Sequence, residues 1–213
     1  MQYNSWLYLF PFLGGSLILY YLLPIKRRWI RPLFSSLLFY ILTMKSLVVV
    51  VLFTTAAIYL GARVIEQFNE TFKLKKKELD RAARKELKNK TTTKIRYVIA
   101  FLCFINFGIL FVTKYFNFFG ENINALFNAL HIPAQIPFLN IFLPLGISFY
   151  TLSAISYVTD VARGVCKVER NYLRLLLFLI FFPVITEGPI SRYGQLGEEL
   201  KAEHRFDYKQ FCF

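Results

Sequence analysis

The chain has 213 residues, of which 56% are hydrophobic, 18% aromatic and only 18% charged, against about 25% charged in soluble domains. This excludes disorder, and 10 Gly and 3 Cys exclude collagen-like and disulfide-rich classes. The apolar residues run in long blocks, with a mean hydropathy of +0.44, so the composition defines a multi-span membrane protein.

The net charge of +13 is concentrated between the apolar blocks. Residues 26–31 hold four Lys or Arg, residues 63–96 twelve and residues 163–174 four, together 20 of the 26. Clusters of this kind mark cytoplasmic loops and argue against a nucleic-acid partner.

The first apolar block, residues 6–23, contains Pro11, Gly14 and Gly15. No basic side chain precedes it, whereas Lys26, Arg27 and Arg28 follow it. It is therefore read as a span with the N-terminus outside, not as a secretory signal. Two runs follow, 30–43 and 46–61, split by Met44 and Lys45. One continuous helix would leave Lys45 near mid-membrane, at a cost of about 2.5–3.5 kcal/mol. A hairpin with Lys45 at the outer surface avoids that cost.

Residues 63–96 form the most charged segment. Ile65, Phe68, Phe72, Leu79, Ala83 and Leu87 recur at helical spacing, interrupted by Lys76. The pattern predicts a basic amphipathic helix on the inner membrane surface. Asp80 with Arg84, and Glu86 with Lys90, stand four residues apart in the favourable order.

Residues 95–116 predict a span running outward, with Lys114 snorkelling at its end. Residues 117–140, with Pro133 and Pro137, predict an outer-surface or partly re-entrant segment. Residues 141–158 predict the next inward span. It is unusually polar, with Ser153, Ser156, Tyr157 and Asp160 on one helical face. Such a face should avoid lipid and meet either neighbouring helices or a wet cavity. Asp160 and Arg163 can pair across one turn. Residues 171–186 are too short for an upright span and are broken by Pro183. A Gly188-Pro189 turn follows, flanked by Glu187 and Arg192. Ionisable groups at or near membrane depth are functional candidates.

The fold class is thus all-α: a polytopic transmembrane helical bundle of about six spanning or partly spanning helices, plus a basic amphipathic cytoplasmic helix. Residues 1–213 form one transmembrane domain in the cell membrane. The sequence holds no nucleotide-binding loop, no HExxH and no metal-ligand spacing. Cys103, Cys166 and Cys212 are scattered thiols, and His131 and His204 lack the apolar setting beside a carboxylate that a general base needs.

Several ordered blocks carry a resemblance. They are Leu143-Pro144-Leu145-Gly146-Ile147-Ser148-Phe149-Tyr150-Thr151, Ile155-Ser156-Tyr157, Asp160, Arg163-Gly164, Phe181-Phe182-Pro183 and Gly188-Pro189-Ile190-Ser191-Arg192-Tyr193. Upstream stand Asn106-Phe107-Gly108, Lys114-Tyr115-Phe116-Asn117-Phe118-Phe119 and Glu121-Asn122-Ile123-Asn124, and near the end His204-Arg205-Phe206-Asp207-Tyr208. Together they resemble the membrane-bound O-acyltransferases, in the bacterial branch that acts in alginate O-acetylation and teichoic-acid D-alanylation. The resemblance covers most of residues 95–208.

The resemblance implies acyl transfer through a membrane-spanning tunnel, with no tightly bound cofactor. The acyl group would come from a cytoplasmic thioester donor, an acyl carrier protein or acyl-CoA. The acceptor would be a hydroxyl of an extracytoplasmic polysaccharide or teichoic acid. Ser148, Tyr150, Tyr157, Asp160, Glu187, Arg192 and Tyr193 become candidate tunnel or scaffold positions. The family's catalytic histidine follows tryptophans in a WxxWH-like context, whereas Trp6 and Trp29 precede no His. The expectation is an N-terminal portion of such an enzyme, without a catalytic residue of its own and inactive alone. The rival classes are a non-catalytic polytopic membrane protein and a transporter subunit.

Overall fold

A computed structural model of the chain describes residues 15, 29–44, 48–76, 80–139, 146–184 and 191–201. The predicted first span, 6–23, falls outside the described residues except for Gly15, and Glu187 and His204 also lie outside them. The described elements are helical: α1 (Ile30–Met44), α2 (Val48–Lys75), α3 (Arg81–Leu110), a π turn (Phe111–Tyr115), α4 (Phe116–Ala129), α5 (Ile147–Arg163), α6 (Tyr172–Ile180) and a second π turn (Tyr193–Gly197).

Two of these runs, Val48–Lys75 and Arg81–Ala129, are long and apolar enough to cross a membrane. The hydropathy pattern predicts about six spanning or partly spanning helices, and α1, α5 and α6 fall short of that length. They have 15, 17 and 9 residues, while about 20 are needed to cross at 1.5 Å per residue.

The apolar stretch around Lys45 is divided between α1 and α2, with the junction, 45–47, outside the described residues. The basic segment 63–96 differs from the expectation of one surface helix. Its first part continues α2 to Lys75 and its last part opens α3 at Arg81, so it is shared by two helices. The interruption of the apolar pattern at Lys76 marks this break. Asp80 caps α3, its carboxylate accepting from Arg81 N at 2.9 Å, and Arg84 Nε donates to Lys76 O at 2.9 Å. Arg84 thus binds the end of α2 in place of the expected Asp80. Glu86 and Lys90 do pair, at 2.6 Å.

The predicted outer segment, 117–140, is also largely helical. The chain passes through the π turn at Phe111–Tyr115 and runs on as α4 to Ala129. There His131 adopts a left-handed conformation (φ 56°), with His131 N donating to Asn128 O and Ile132 N to Phe127 O. This is a Schellman ending with a histidine where glycine is usual, and Pro133 forbids continuation.

Residues 132–139 then return as an extended strap along α4. Asn117 Nδ2 donates to Leu139 O (2.8 Å) and its Oδ1 accepts from Leu139 N (3.0 Å). Asn124 does the same with Ile136, at 3.0 and 2.7 Å. The spacing explains the fit. Seven helical residues rise about 10.5 Å, and three extended residues span about 10 Å. Gly120, midway between the two asparagines, is buried; a β-carbon there would touch the Ile136 side chain at 3.4 Å.

The core lies among α2, α3, α5 and α6. In α2 the buried residues are Val51, Thr54, Thr55, Ile58, Gly61, Ala62 and Ile65, a single stripe at 3- and 4-residue steps. Gly61 lets Leu102 of α3 occupy the place of a β-carbon, which draws the two long helices together. All of Leu175–Ile180 in α6 is buried, so this short helix is packed on every side. The outer faces are apolar as well. Val49, Phe53 and Leu60 of α2, and Phe101, Phe104 and Phe107 of α3, are exposed, as a lipid-solvated surface requires.

Candidate functional site

Helix α5 carries four of the seven candidate positions: Ser148, Tyr150, Tyr157 and Asp160. Its buried residues Tyr150, Ala154, Tyr157, Val158 and Val161 share one face. The polar face predicted from Ser153, Ser156, Tyr157 and Asp160 overlaps that face: Tyr157 and Asp160 are buried, and Ser153 and Ser156 half-buried. Ser153 lines a crevice of about 10 Å³ with Tyr150, Phe149, Phe178 and Ser191, space for roughly one water molecule. Tyr157 and Asp160 thus turn into the protein, and Ser153 and Ser156 lie at the edge of the buried face.

Toward its N-terminal end, Tyr150 reaches α2. Its hydroxyl lies 2.7 Å from Thr54 Oγ1 and 3.1 Å from Thr55 Oγ1. Thr54 donates to Val50 O at 2.9 Å and Thr55 to Val51 O at 2.7 Å. A hydroxyl has one proton, so with both threonine protons held by α2 the Tyr150 proton is free to go to Thr54. The result is a saturated polar post in an apolar core. Ser148, two residues earlier, is half-buried in the first turn of α5.

At the other end a second cluster forms. Helix α5 closes with a Schellman motif: Gly164 (φ 74°) donates to Val161 O at 3.0 Å and Val165 N to Asp160 O at 2.8 Å. The chain reverses, and Glu169 comes back beneath Tyr157, its N–H donating to the Tyr157 hydroxyl at 2.9 Å. The Glu169 carboxylate is 7% exposed. It accepts from Asn171 N (2.8 Å), the Tyr193 hydroxyl (2.5 Å) and Lys201 Nζ (2.7 Å).

The Tyr157 and Tyr193 rings lie 4.9 Å apart, and Phe178 meets Tyr193 edge-on at 5.1 Å. Lys201 Nζ stands 4.9 Å over the Tyr193 ring. Gly197 is buried because Tyr193 lies against it; a β-carbon would come within 2.7 Å of the ring. Burial pushes the Glu169 carboxyl up, but Lys201, Tyr193 and the Asn171 amide more than compensate and hold it below the usual glutamate range. Burial, then Asp160, push the Cys166 thiol up to about 11, which makes it an unreactive group at neutral pH.

The structure therefore joins Tyr157 and Tyr193 in one cluster and places Tyr150 and Ser148 nearer the other end of α5. Asp160 is buried (8% exposed) and Arg163 exposed, and the expected ion pair between them is not formed. Arg192 is exposed and works through its backbone, its carbonyl accepting from Gln195 and Leu196 N.

Sequence reasoning missed Glu169, Lys201, Thr54 and Thr55. The adjacent threonines in an apolar run were a usable signal, as was Asn171, which caps α6 by accepting from Leu173 N at 2.9 Å. Asn106 is also buried in mid-helix; its Nδ2 donates to Leu102 O at 2.9 Å, and its Oδ1 has no partner among the described residues. Among the described residues no three His, Cys, Asp or Glu are grouped to hold a metal. The one histidine among them, His131, is exposed at the end of α4.

The described residues thus form a helical body with apolar outer faces and a few hydroxyl groups packed in an apolar core, the make-up of a membrane protein. The chain is 30% identical over 202 residues to the probable alginate O-acetylase AlgI of Pseudomonas aeruginosa, covering 93% of this chain and 34% of the relative. It is 35% identical over 104 residues to the protein of that name from Pseudomonas syringae pv. tomato, covering 48% of this chain and 18% of the relative. It is also 34% identical over 70 residues to the teichoic acid D-alanyltransferase of Bacillus subtilis, covering 32% and 18%. No family model and no solved structure matches. The chain belongs to the membrane-bound O-acyltransferase family. It spans 18 to 34% of the length of these relatives.

Proposed function

We propose that the chain is part of a membrane-embedded O-acyltransferase. The enzyme would move an acyl group from a cytoplasmic thioester, on an acyl carrier protein or CoA, to a hydroxyl of an extracytoplasmic polysaccharide or teichoic acid. The observation that carries this reading is the similarity to an alginate O-acetylase along 93% of the chain. Helix α5 supports it, since its motif residues Tyr150 and Tyr157 are packed inside the protein.

The described residues act as scaffold. Tyr150 with Thr54 and Thr55 fixes α5 against α2, and Glu169 with Tyr157, Tyr193 and Lys201 fixes its other end. An acceptor hydroxyl is a weak nucleophile at neutral pH and needs a positioned base. Neither His131 nor His204 has the family's context, so this chain supplies walls and not the base. Reconstitution with an acylated carrier and a polysaccharide or teichoic acceptor tests this. The purified chain alone should give no turnover. Turnover that disappears on replacing His131 or His204 would overturn the assignment of roles.

The charge clusters support a multi-pass protein with its N-terminus outside and residues 63–96 in the cytoplasm. In a variant without native cysteines, a membrane-impermeant thiol reagent applied outside should label Lys45→Cys and not Lys85→Cys. The reverse pattern would invert the topology.

A further inference from the structure

A second cavity, of about 540 Å³, opens where α2, α3 and α5 converge at their charged ends. Its wall on α3 is built from Lys88, Thr91, Thr92, Ile95, Arg96 and Ile99. These recur at 3- and 4-residue steps and so lie on one helical face. Asn69 and Phe72 of α2, and Thr159, Ala162 and Arg163 of α5, complete it.

Three cations face this space and no carboxylate lines it. None of Lys88, Arg96 and Arg163 forms an ion pair with a described residue. Of the neighbouring acids, Glu86 is engaged by Lys90 and Glu66 by Arg63 and Arg170, while Asp160, on the same helix as Arg163, is buried and does not line the space. The Thr159 hydroxyl donates its one proton to Ile155 O at 2.8 Å, so it offers an anion no donor and its lone pairs can only accept from a neighbouring cation. Thr91, Thr92 and Asn69 add hydrogen-bonding groups, and Phe72, Ile95, Ile99 and Ala162 supply an apolar floor.

The position along the helices is equally informative. On α3 the charged run ends at Arg96 and the apolar run begins with Tyr97. Arg163 is the last residue of α5. The cavity therefore sits at the polar–apolar boundary, at the depth of lipid headgroups. Guanidinium groups bind phosphate oxygens as forks, and an apolar floor beside them suits an acyl chain.

We propose that this cavity is a binding site for the phosphate headgroup of an anionic phospholipid, with Arg96, Arg163 and Lys88 on the phosphate and the first part of an acyl chain along Phe72, Ile95 and Ile99. The proposal needs the chain to lie in a membrane but not to transfer acyl groups. It also differs from diffuse attraction of a basic surface to anionic lipid, because the three cations line one open cavity.

The experiment is lipid retention by the purified full chain, read by native mass spectrometry after exposure to equal phosphatidylglycerol and phosphatidylcholine. Phosphatidylglycerol should be retained at least about tenfold more. The R96Q/R163Q variant should lose that preference, while R81Q/K85Q, which removes equal charge from α3 outside the cavity, should keep it. Should R96Q/R163Q not fold, Lys88→Gln alone should weaken retention by about fivefold. Equal retention of the two lipids would overturn the proposal, as would equal loss in R81Q/K85Q. Displacement of the lipid by millimolar inorganic phosphate alone would assign the site to a soluble phosphate ligand and overturn the lipid assignment.

Discussion

Glu169→Ala should lower the stability of the folded chain by about 2–3 kcal/mol, below the about 3–5 kcal/mol typical of breaking a fully buried ion pair. The reduction follows from Lys201, which is 26% exposed and can be rehydrated when its partner is lost. At about 2–4 °C per kcal/mol for a chain of this size, the thermal midpoint in detergent should fall by about 5–10 °C. Three groups lose a partner together: the Tyr193 hydroxyl, the Asn171 amide and Lys201, while the backbone N–H that binds the Tyr157 hydroxyl is retained.

The pH dependence distinguishes charge from packing. The Glu169 carboxyl is held below its usual value in the folded chain. Its contribution is therefore fully present above the ordinary glutamate value of 4.5 and is lost as the pH falls through the lower, folded-state value. Unfolding measured from pH 7 downward should show a loss of stability in that acid range that Glu169→Gln lacks. Identical acid profiles for the two would remove the ionised carboxylate from the account.

The second large effect is expected at the strap. Asn117→Ala with Asn124→Ala removes all four side-chain bonds that hold residues 136–139 on α4. At about 0.5–1.5 kcal/mol per hydrogen bond, amide exchange at Ile136 and Leu139 should accelerate by roughly 10- to 100-fold. Amides in the core of α5 should keep their protection, because the four bonds removed join the strap to α4 alone. Unchanged exchange at Ile136 would mean that the strap is held by something other than the two asparagines.

Much of this arrangement was legible from local pattern. The polar face of α5 follows from spacing and the shortness of α6 from Pro183, whereas the break after Lys75 runs against the reading of 63–96 as one helix. The ordered blocks from Leu143 to Tyr193 carried the family. What escaped was whatever depends on two chain reversals. Glu169 and Lys201 looked like ordinary loop charges, since nothing near either announces the other. The continuation of the helix beyond Phe116 escaped for a different reason. Residues 117–140, with Pro133 and Pro137, read as an outer-surface or partly re-entrant segment, yet Asn117 and Asn124 hold the strap on α4 by mimicking backbone groups. Glu187, the remaining candidate, lies outside the described residues.

The π turn at Phe111–Tyr115 bears on how such a helix is aimed. A π turn accommodates one residue more than an α turn, and each α-helical residue corresponds to about 100° of rotation. Length and phase are thereby uncoupled. The segment up to Leu110 is set by its contacts with α2 and α5, while the face that Asn117 and Asn124 present is set by the extra residue. Bond geometry at one turn thus acts as an indexing joint, orienting the strap-bearing half of a 49-residue helical run without disturbing the half that packs against the core.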